Sequence, residues 1–356
     1  MREGWEIRKL GDVCKLYQPK TISNKEFVEG GEYPVYGSNG IIGQYNQYNH
    51  AEREILISCR GTCGRVNVSK PFSWINGNAM VVHITRPEIG FDFLKYQLMG
   101  VDMSDVITGA TIPQITRQSL TPIRIFIPPV QQQKKIVAEL DCLTGIIEKK
   151  KQQLEELGKL AQSIFYDMFG DPITNEKGWV VKQLKEVSTL LNGRAYKQEE
   201  LLREGKYKVL RVGNFFTNGD YYYSNLELDD DKYCDTGDLL FAWSASFGAF
   251  IWEGGKVIYH YHIWKVMYED KFLNILYYKY LLNTMTSSFM KDVHGIGMVH
   301  LTKAGMEQYS LPIPPLALQN EFAQKIEAID RQKELVKRSI VETEALFNSR
   351  MDYWFN

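Results

Sequence analysis

QQQKKIVAELDCLTGIIEKKKQQLEELGKLAQSIFYDMF (residues 131–169) decides how this chain is organised. Steps of four and three residues from Ile136 select Leu140, Leu143, Ile147, Lys150, Leu154, Leu157, Ala161, Ile164 and Met168, all apolar except Lys150. A sustained 3.5-residue spacing marks a helix that buries a narrow seam against another helix. Pro128 and Pro129 stop the preceding element and give the helix a stiff entry. At the rise of an α-helix the stretch makes a rod of roughly 58 Å. Such a rod needs a partner.

The partner is written in the same chain, 186 positions on. Pro314 and Pro315 introduce Phe322, Ile326, Ile329, Lys333, Val336, Ile340, Thr343, Phe347, Arg350 and Trp354 at the matching places, a seam interrupted by Lys333, Thr343 and Arg350. Either the last turns splay towards another subunit, or these polar residues set an antiparallel register. The match runs upstream, where Ile115, Thr116, Leu120, Ile125 and Ile127 align with Leu301, Thr302, Met306, Leu311 and Ile313. Gly4-Trp5 with Leu10 and Val13 recurs as Gly178-Trp179 with Leu184 and Val187, at the smaller separation of 174, so the second copy carries an insertion. Repetition on this scale sets the architecture before any single motif does.

The reading is an α+β protein with an internal two-fold repeat: globular parts at 1–129 and 170–315, each followed by a long helix, at 130–169 and 316–356. Short strand-like runs such as Glu54–Ser58 and Met80–Ile84 alternate with Gly, Asn and Pro turns, and Phe91–Met99 and Phe272–Leu282 read as helices. The link Gly170–Gly178 reaches at most roughly 32 Å, too short to return along the first rod. The expected shape is therefore a dumbbell whose two helices pair antiparallel. The alternative is that each helix seams with another protein.

Composition narrows function little. A net charge of −1 and a hydrophobic content of 44% describe a packed protein without a strongly basic module, so any DNA binding must come from local patches. No apolar run reaches membrane-spanning length and MREGWEIRKLGD lacks a signal-peptide core, which reads as cytoplasmic. The five cysteines are scattered, arguing against a disulfide framework. Cys59 and Cys63 read as thiols in a strand and turn, with a zinc site as the lesser alternative. Phosphate-loop, dinucleotide, zinc-protease and nucleophile-elbow motifs are all absent. His260-Tyr261-His262 would place two imidazoles on one face of a strand, as base contacts or hydrogen bonders before metal ligands. Asp229–Asp231 reads as a solvated turn.

Candidate contacts to phosphates and base edges are polar, basic and aromatic residues in loops. In copy one these are Asn39, Tyr45, Arg60, Arg65, Lys70, Trp74, Asn76 and Asn78, followed by Thr111, Gln114, Thr116 and Arg117 on the approach to the helix. In copy two they are Arg194, Tyr196, Arg211, Asn214, Trp243, Ser244, Ser246, His260 and His262, then His300, Thr302 and Lys303.

The chain resembles the specificity subunit of type I restriction-modification systems over essentially its whole length. The resemblance is carried by the two Gly-Trp starts, YPVYGSNGIIGQY at 33–45, Ile57–Thr62 with Gly64 and Val66, and GDLLFAWSASFGAF at 237–250. HLTKAGMEQYSLPIPPL at 300–316 and IFIPPVQQQKKI at 125–136 complete it. It implies two target-recognition domains, each reading one half of a split duplex sequence, and spacer helices that dock DNA methyltransferase subunits. It also implies no cofactor and no catalysis in this chain, with methyl transfer and ATP-driven cleavage in methyltransferase and helicase-nuclease partners. The competing expectations are a dumbbell scaffold binding protein or carbohydrate ligands, and a DNA-modifying enzyme with its own cofactor.

Overall fold

The computed structural model describes residues 3–109, 113–215, 220–244, 246–290 and 301–355. The candidates Thr111 and His300 lie outside them. The chain divides into two compact units, Met1–Lys151 with Arg338–Asn356, and Gln152–Lys337. The helices Val130–Phe169 and Leu316–Phe355 each contribute to both.

Unit one is entered through the strand Glu6–Lys9, paired antiparallel with Arg124–Ile127 immediately before the Pro-Pro step. A four-stranded antiparallel sheet follows, in the order Cys14–Tyr17, Ala79–Ile84, Ile55–Ser58, Val66–Val68. A smaller sheet orders Gly40–Tyr45, Tyr33–Gly37 and Trp74–Ile75, the last pair parallel. Ile55, Leu56 and Ile57 are all fully buried because this strand is covered on both faces. Successive side chains alternate: Ile55 and Ile57 join Met80, Val82 and Leu94, while Leu56 joins Tyr36, Ile75 and Val81. A continuous apolar run is what such a central strand requires.

Unit two repeats the plan. Val180–Gln183 pairs with Ser310–Ile313, and the main sheet runs Ser188–Asn192, Ile263–Tyr268, Leu239–Ser244, Ser246–Ile251. Leu239 and Phe241 pack with Trp264 beneath the helix Ile275–Phe289, while Leu240 packs with Leu210 and Ile263 on the opposite face. That helix starts three residues later than Phe272 because the Asn274 side chain caps it, accepting a hydrogen bond from the Leu276 N–H at 2.9 Å. The second small sheet has a fourth strand, Tyr233–Cys234, beside Tyr222–Ser224, Tyr207–Leu210 and Val257–Tyr259. Its counterpart in unit one is the single antiparallel bridge of His50 to Ser73, matching Cys234 to Val257, so the insertion lies before it: the offset between copies is 174 at Tyr36 and Leu210 and already 184 at His50 and Cys234.

The long helices run antiparallel within each unit. In unit one Glu139 meets Arg350 and Lys151 meets Glu344, while in unit two Phe165 and Phe169 pack edge-on against Phe322 at 5.7 and 5.3 Å. Of the seam positions, Ile136, Leu140, Phe322, Ile326, Ile329, Val336 and Ile340 are buried. Leu143, Ile147, Leu154, Leu157, Ile164 and Phe347 are half-buried. At the C-terminal end of each helix the buried residues move off the 3.5-residue seam, from buried Ala161 to Phe165 and Phe169 in one helix and to Met351 and Phe355 in the other. Steps of four replace steps of three because these turns pack on a globular unit, where a straight helix keeps its 3.6-residue period. Arg350 therefore does not interrupt the apolar contact but pairs beside it.

Candidate nucleic-acid interface

In unit one several strand ends converge. Tyr33–Gly37 reverses through Ser38 and Asn39 into Gly40–Tyr45, a hairpin closed by Gly37 opposite Gly40. The neighbouring strand leaves its sheet at Cys59, whose N–H donates to the Asn78 carbonyl at 3.0 Å; the Ser38 hydroxyl donates to the same oxygen at 2.8 Å. Asn67 donates to the Ser38 carbonyl, and the Asn39 amide to the Thr62 hydroxyl at 3.2 Å. Arg60 bridges to Gln114 along the backbone. Asn39, Arg60, Gln114 and Asn78 thus come together at one end of the sheets, with Arg65 on the returning arm of the same loop, where its carbonyl accepts from the Ser58 N–H.

Tyr45 and Lys70 do not join them. Tyr45 pairs with Tyr33 at the opposite end of the hairpin and packs edge-on against Trp74, and Lys70 follows Val68, the partner of Ile55, at that same far end. Asn76 is 2% exposed: its Oδ1 accepts from the Ile22 N–H and the Trp74 indole, and its Nδ2 donates to the Ile22 carbonyl. Arg117 opens the short helix Arg117–Leu120, capped by Thr116.

In unit two the candidates gather around His260-Tyr261-His262. These residues form a turn, not one face of a strand, because the Ile263 N–H closes back onto the His260 carbonyl at 3.0 Å while the His260 N–H donates to Leu210. The Trp243 indole donates to the Tyr261 carbonyl at 2.9 Å, and the imidazole centroids stand 4.8 Å apart. Tyr196 stacks on His260. Burial, with His262 and the positive Arg211 nearby, pushes His260 down to about 4, which keeps it neutral at neutral pH. Arg194 forks onto both oxygens of Glu200 at 2.9 and 2.7 Å, so its charge is neutralised, and the pairing brings Glu200 down to about 2. Arg211 lies over the Tyr222 ring, and Asn214 accepts from the Arg211 N–H, folding its own loop. Ser244, buried, and Ser246, half-buried, face each other at the hairpin tip. Lys303 opens a short helix capped by Thr302 and reaches Glu307 at 3.7 Å.

Among the described residues, no group of three or more His, Cys, Asp or Glu is placed to hold a metal ion. The Cys63 thiol donates to the Cys59 and Pro113 carbonyls, and burial pushes the Cys59 thiol up to about 11. Asp229 begins a short turn at Asp230–Lys232. No described helix is long and apolar enough to cross a membrane.

Two copies of one topology, each gathering polar and aromatic side chains at strand ends, agree with the sequence comparisons. The type I restriction modification DNA specificity domain family matches residues 2–157 and again residues 176–345, one match for each copy. The chain belongs to this family. It is 23% identical to the type I restriction enzyme MjaVIII specificity subunit of Methanocaldococcus jannaschii, over 94% of this chain and 88% of that one. The fold is shared with the crystal structure of a type I restriction-modification S subunit from M. genitalium, at a TM-score of 0.56, 14% identity and coverage of 98% and 95%. It is shared also with a chain from a structural study of complex assembly and conformational transition of the type I system, at a TM-score of 0.59, 18% identity and coverage of 100% and 98%. The chain is a DNA-specificity subunit with two recognition regions. Ser38, Thr62, Asn67 and Tyr261 also belong to its candidate reading ends. Ser38 carries a sequence signal in the turn chemistry of Gly37-Ser38-Asn39-Gly40, whereas Thr62, Asn67 and Tyr261 join the group only once strand pairing places their turns side by side.

Proposed function

We propose that this chain confers sequence specificity on a cytoplasmic type I restriction-modification complex and performs no chemistry itself. Residues 1–129 and 170–315 act as the recognition domains, each reading one half of a bipartite duplex target. The helices 130–169 and 316–356 set the unread spacer and dock methyltransferase subunits. Methyl transfer and ATP-dependent cleavage reside in partner subunits. The observation that carries the reading is the doubling itself: one backbone plan occurs twice, with unlike side chains at corresponding strand ends. Two similar readers with different contents suit a target of two different halves.

Selection from a pool of random duplexes by the full chain, with and without a methyltransferase partner, tests this. Enrichment of two fixed half-sequences at constant separation is expected. Enrichment of no split sequence in either condition contradicts it and favours a scaffold for protein or carbohydrate ligands.

A further inference from the structure

One turn has the same backbone in both units and different side chains at all three of its positions. In unit one, the Asn76 N–H donates to Tyr36, the Ala79 N–H to Asn76 and the Cys59 N–H to Asn78, at 2.9, 3.0 and 3.0 Å. In unit two, the His260 N–H donates to Leu210, the Ile263 N–H to His260 and the Trp243 N–H to His262, at 2.9, 3.0 and 3.1 Å. Asn76-Gly77-Asn78 and His260-Tyr261-His262 are therefore one structural element carrying different groups.

The two versions divide their labour differently. Asn76 is spent on Ile22 and Trp74, and Gly77 has no side chain; a Cβ there would meet the Pro19 carbonyl at 2.6 Å. Unit one thus presents a single side chain from this turn, that of half-exposed Asn78, beside Ser38 and Arg60. In unit two the place of Gly77 is taken by Tyr261, 37% exposed, whose ring lies 3.9 Å from that of His262 and 6.0 Å from Trp243, centroid to centroid. That version presents an aromatic cluster.

Building on the reading of this chain as two DNA readers, we infer that this turn is a specificity-determining element of each: Asn78 reads a base edge in one half-site, and Tyr261 with His262 reads the other. An Asn amide pairs bidentately with the adenine edge in the major groove, whereas a tyrosine ring offers apolar contact to a thymine methyl and a phenol to a base acceptor. The two halves should differ accordingly in base composition where the turn touches them.

The test is the random-duplex selection repeated with the full chain carrying Asn78→Ser, Tyr261→Ala or Tyr261→Phe, each first matched to the unsubstituted chain in thermal unfolding. Asn78→Ser is expected to cut the preference for one base pair by about tenfold, in one half only. Tyr261→Ala should do so in the other half only, with Tyr261→Phe keeping whatever part of the preference rests on the ring. A uniform fall in affinity with base preferences unchanged, or a change in both halves from one substitution, overturns the inference. If the unsubstituted chain selects a split sequence while all three variants select it unaltered, the turn does not read DNA although the chain does. If the unsubstituted chain selects nothing, the underlying reading fails instead.

Discussion

Gln133 and Gln319, one turn into their respective long helices, make the same three hydrogen bonds. Gln133 donates to the Glu88 and Pro128 carbonyls at 3.0 and 2.9 Å and accepts from the Gly90 N–H at 2.8 Å. Gln319 donates to the Phe272 and Pro314 carbonyls and accepts from the Asn274 N–H, each at 2.8 Å. Both are buried, at 3% and 0% exposure. Each amide ties the Pro-Pro step to the loop that precedes the helix packed beneath, fixing the angle at which the rod leaves its unit. Replacement of either by Ala strands a buried N–H and two carbonyls, at a cost of about 1–3 kcal/mol for a group left unsatisfied. Gln133→Ala is expected to lower the urea midpoint of the chain clearly; a midpoint within error of the unsubstituted protein contradicts this role.

Arg350 and Glu139 join the two helix ends within unit one, with the Trp354 indole donating to the same carboxylate at 3.1 Å. The pairing holds Glu139 below the usual carboxylate range. Its contribution is therefore present above the ordinary Glu value and is lost as pH falls through the lowered folded value. Both side chains are about one-third exposed and screened by solvent, so a double-mutant cycle should find a small favourable coupling at neutral pH. That coupling should shrink as pH falls below about 4. A coupling unchanged by pH contradicts the ionic account.

His260 gives a second pH signature, of opposite protonation sense to a salt-bridged histidine. Its folded value, about 4, lies below the ordinary 6.5, so the unfolded chain binds the proton more readily. Stability of unit two should be full above about 6.5 and fall as pH drops towards 4. Histidine NMR titration of the whole chain, with His260→Asn for assignment, should place one of the six imidazoles near 4. A midpoint for His260 near 6.5 contradicts the burial argument.

The doubling and the two long helices were legible in periodicity and in the paired Pro-Pro steps, because seam burial and helix entry leave local signatures. The helix ends were less so: Phe165, Phe169, Met351 and Phe355 answer to the globular units, a tertiary demand invisible to a fixed heptad. Gln133 and Gln319 could have been found from their shared offset, but a polar residue on a helix carries no sign of burial. At the candidate reading ends, Asn39 and Asn78 are distant in sequence and meet only through strand pairing, and Asn76 and Asn78 look alike until one proves to be spent internally.

Removing one heptad from each long helix shortens it by about 10 Å. If the helices set the gap between half-sites, the unread spacer should shrink by about three base pairs with both half-sequences intact, read by duplex selection. An unaltered gap would leave the helices as docking surfaces alone.

The most direct measurement exchanges residues 1–128 for the matching region of another family member and reads the selected duplex sequence. Two independent readers predict that one half of the target changes while the other half stays as it was. A change in both halves, or in neither, contradicts the account.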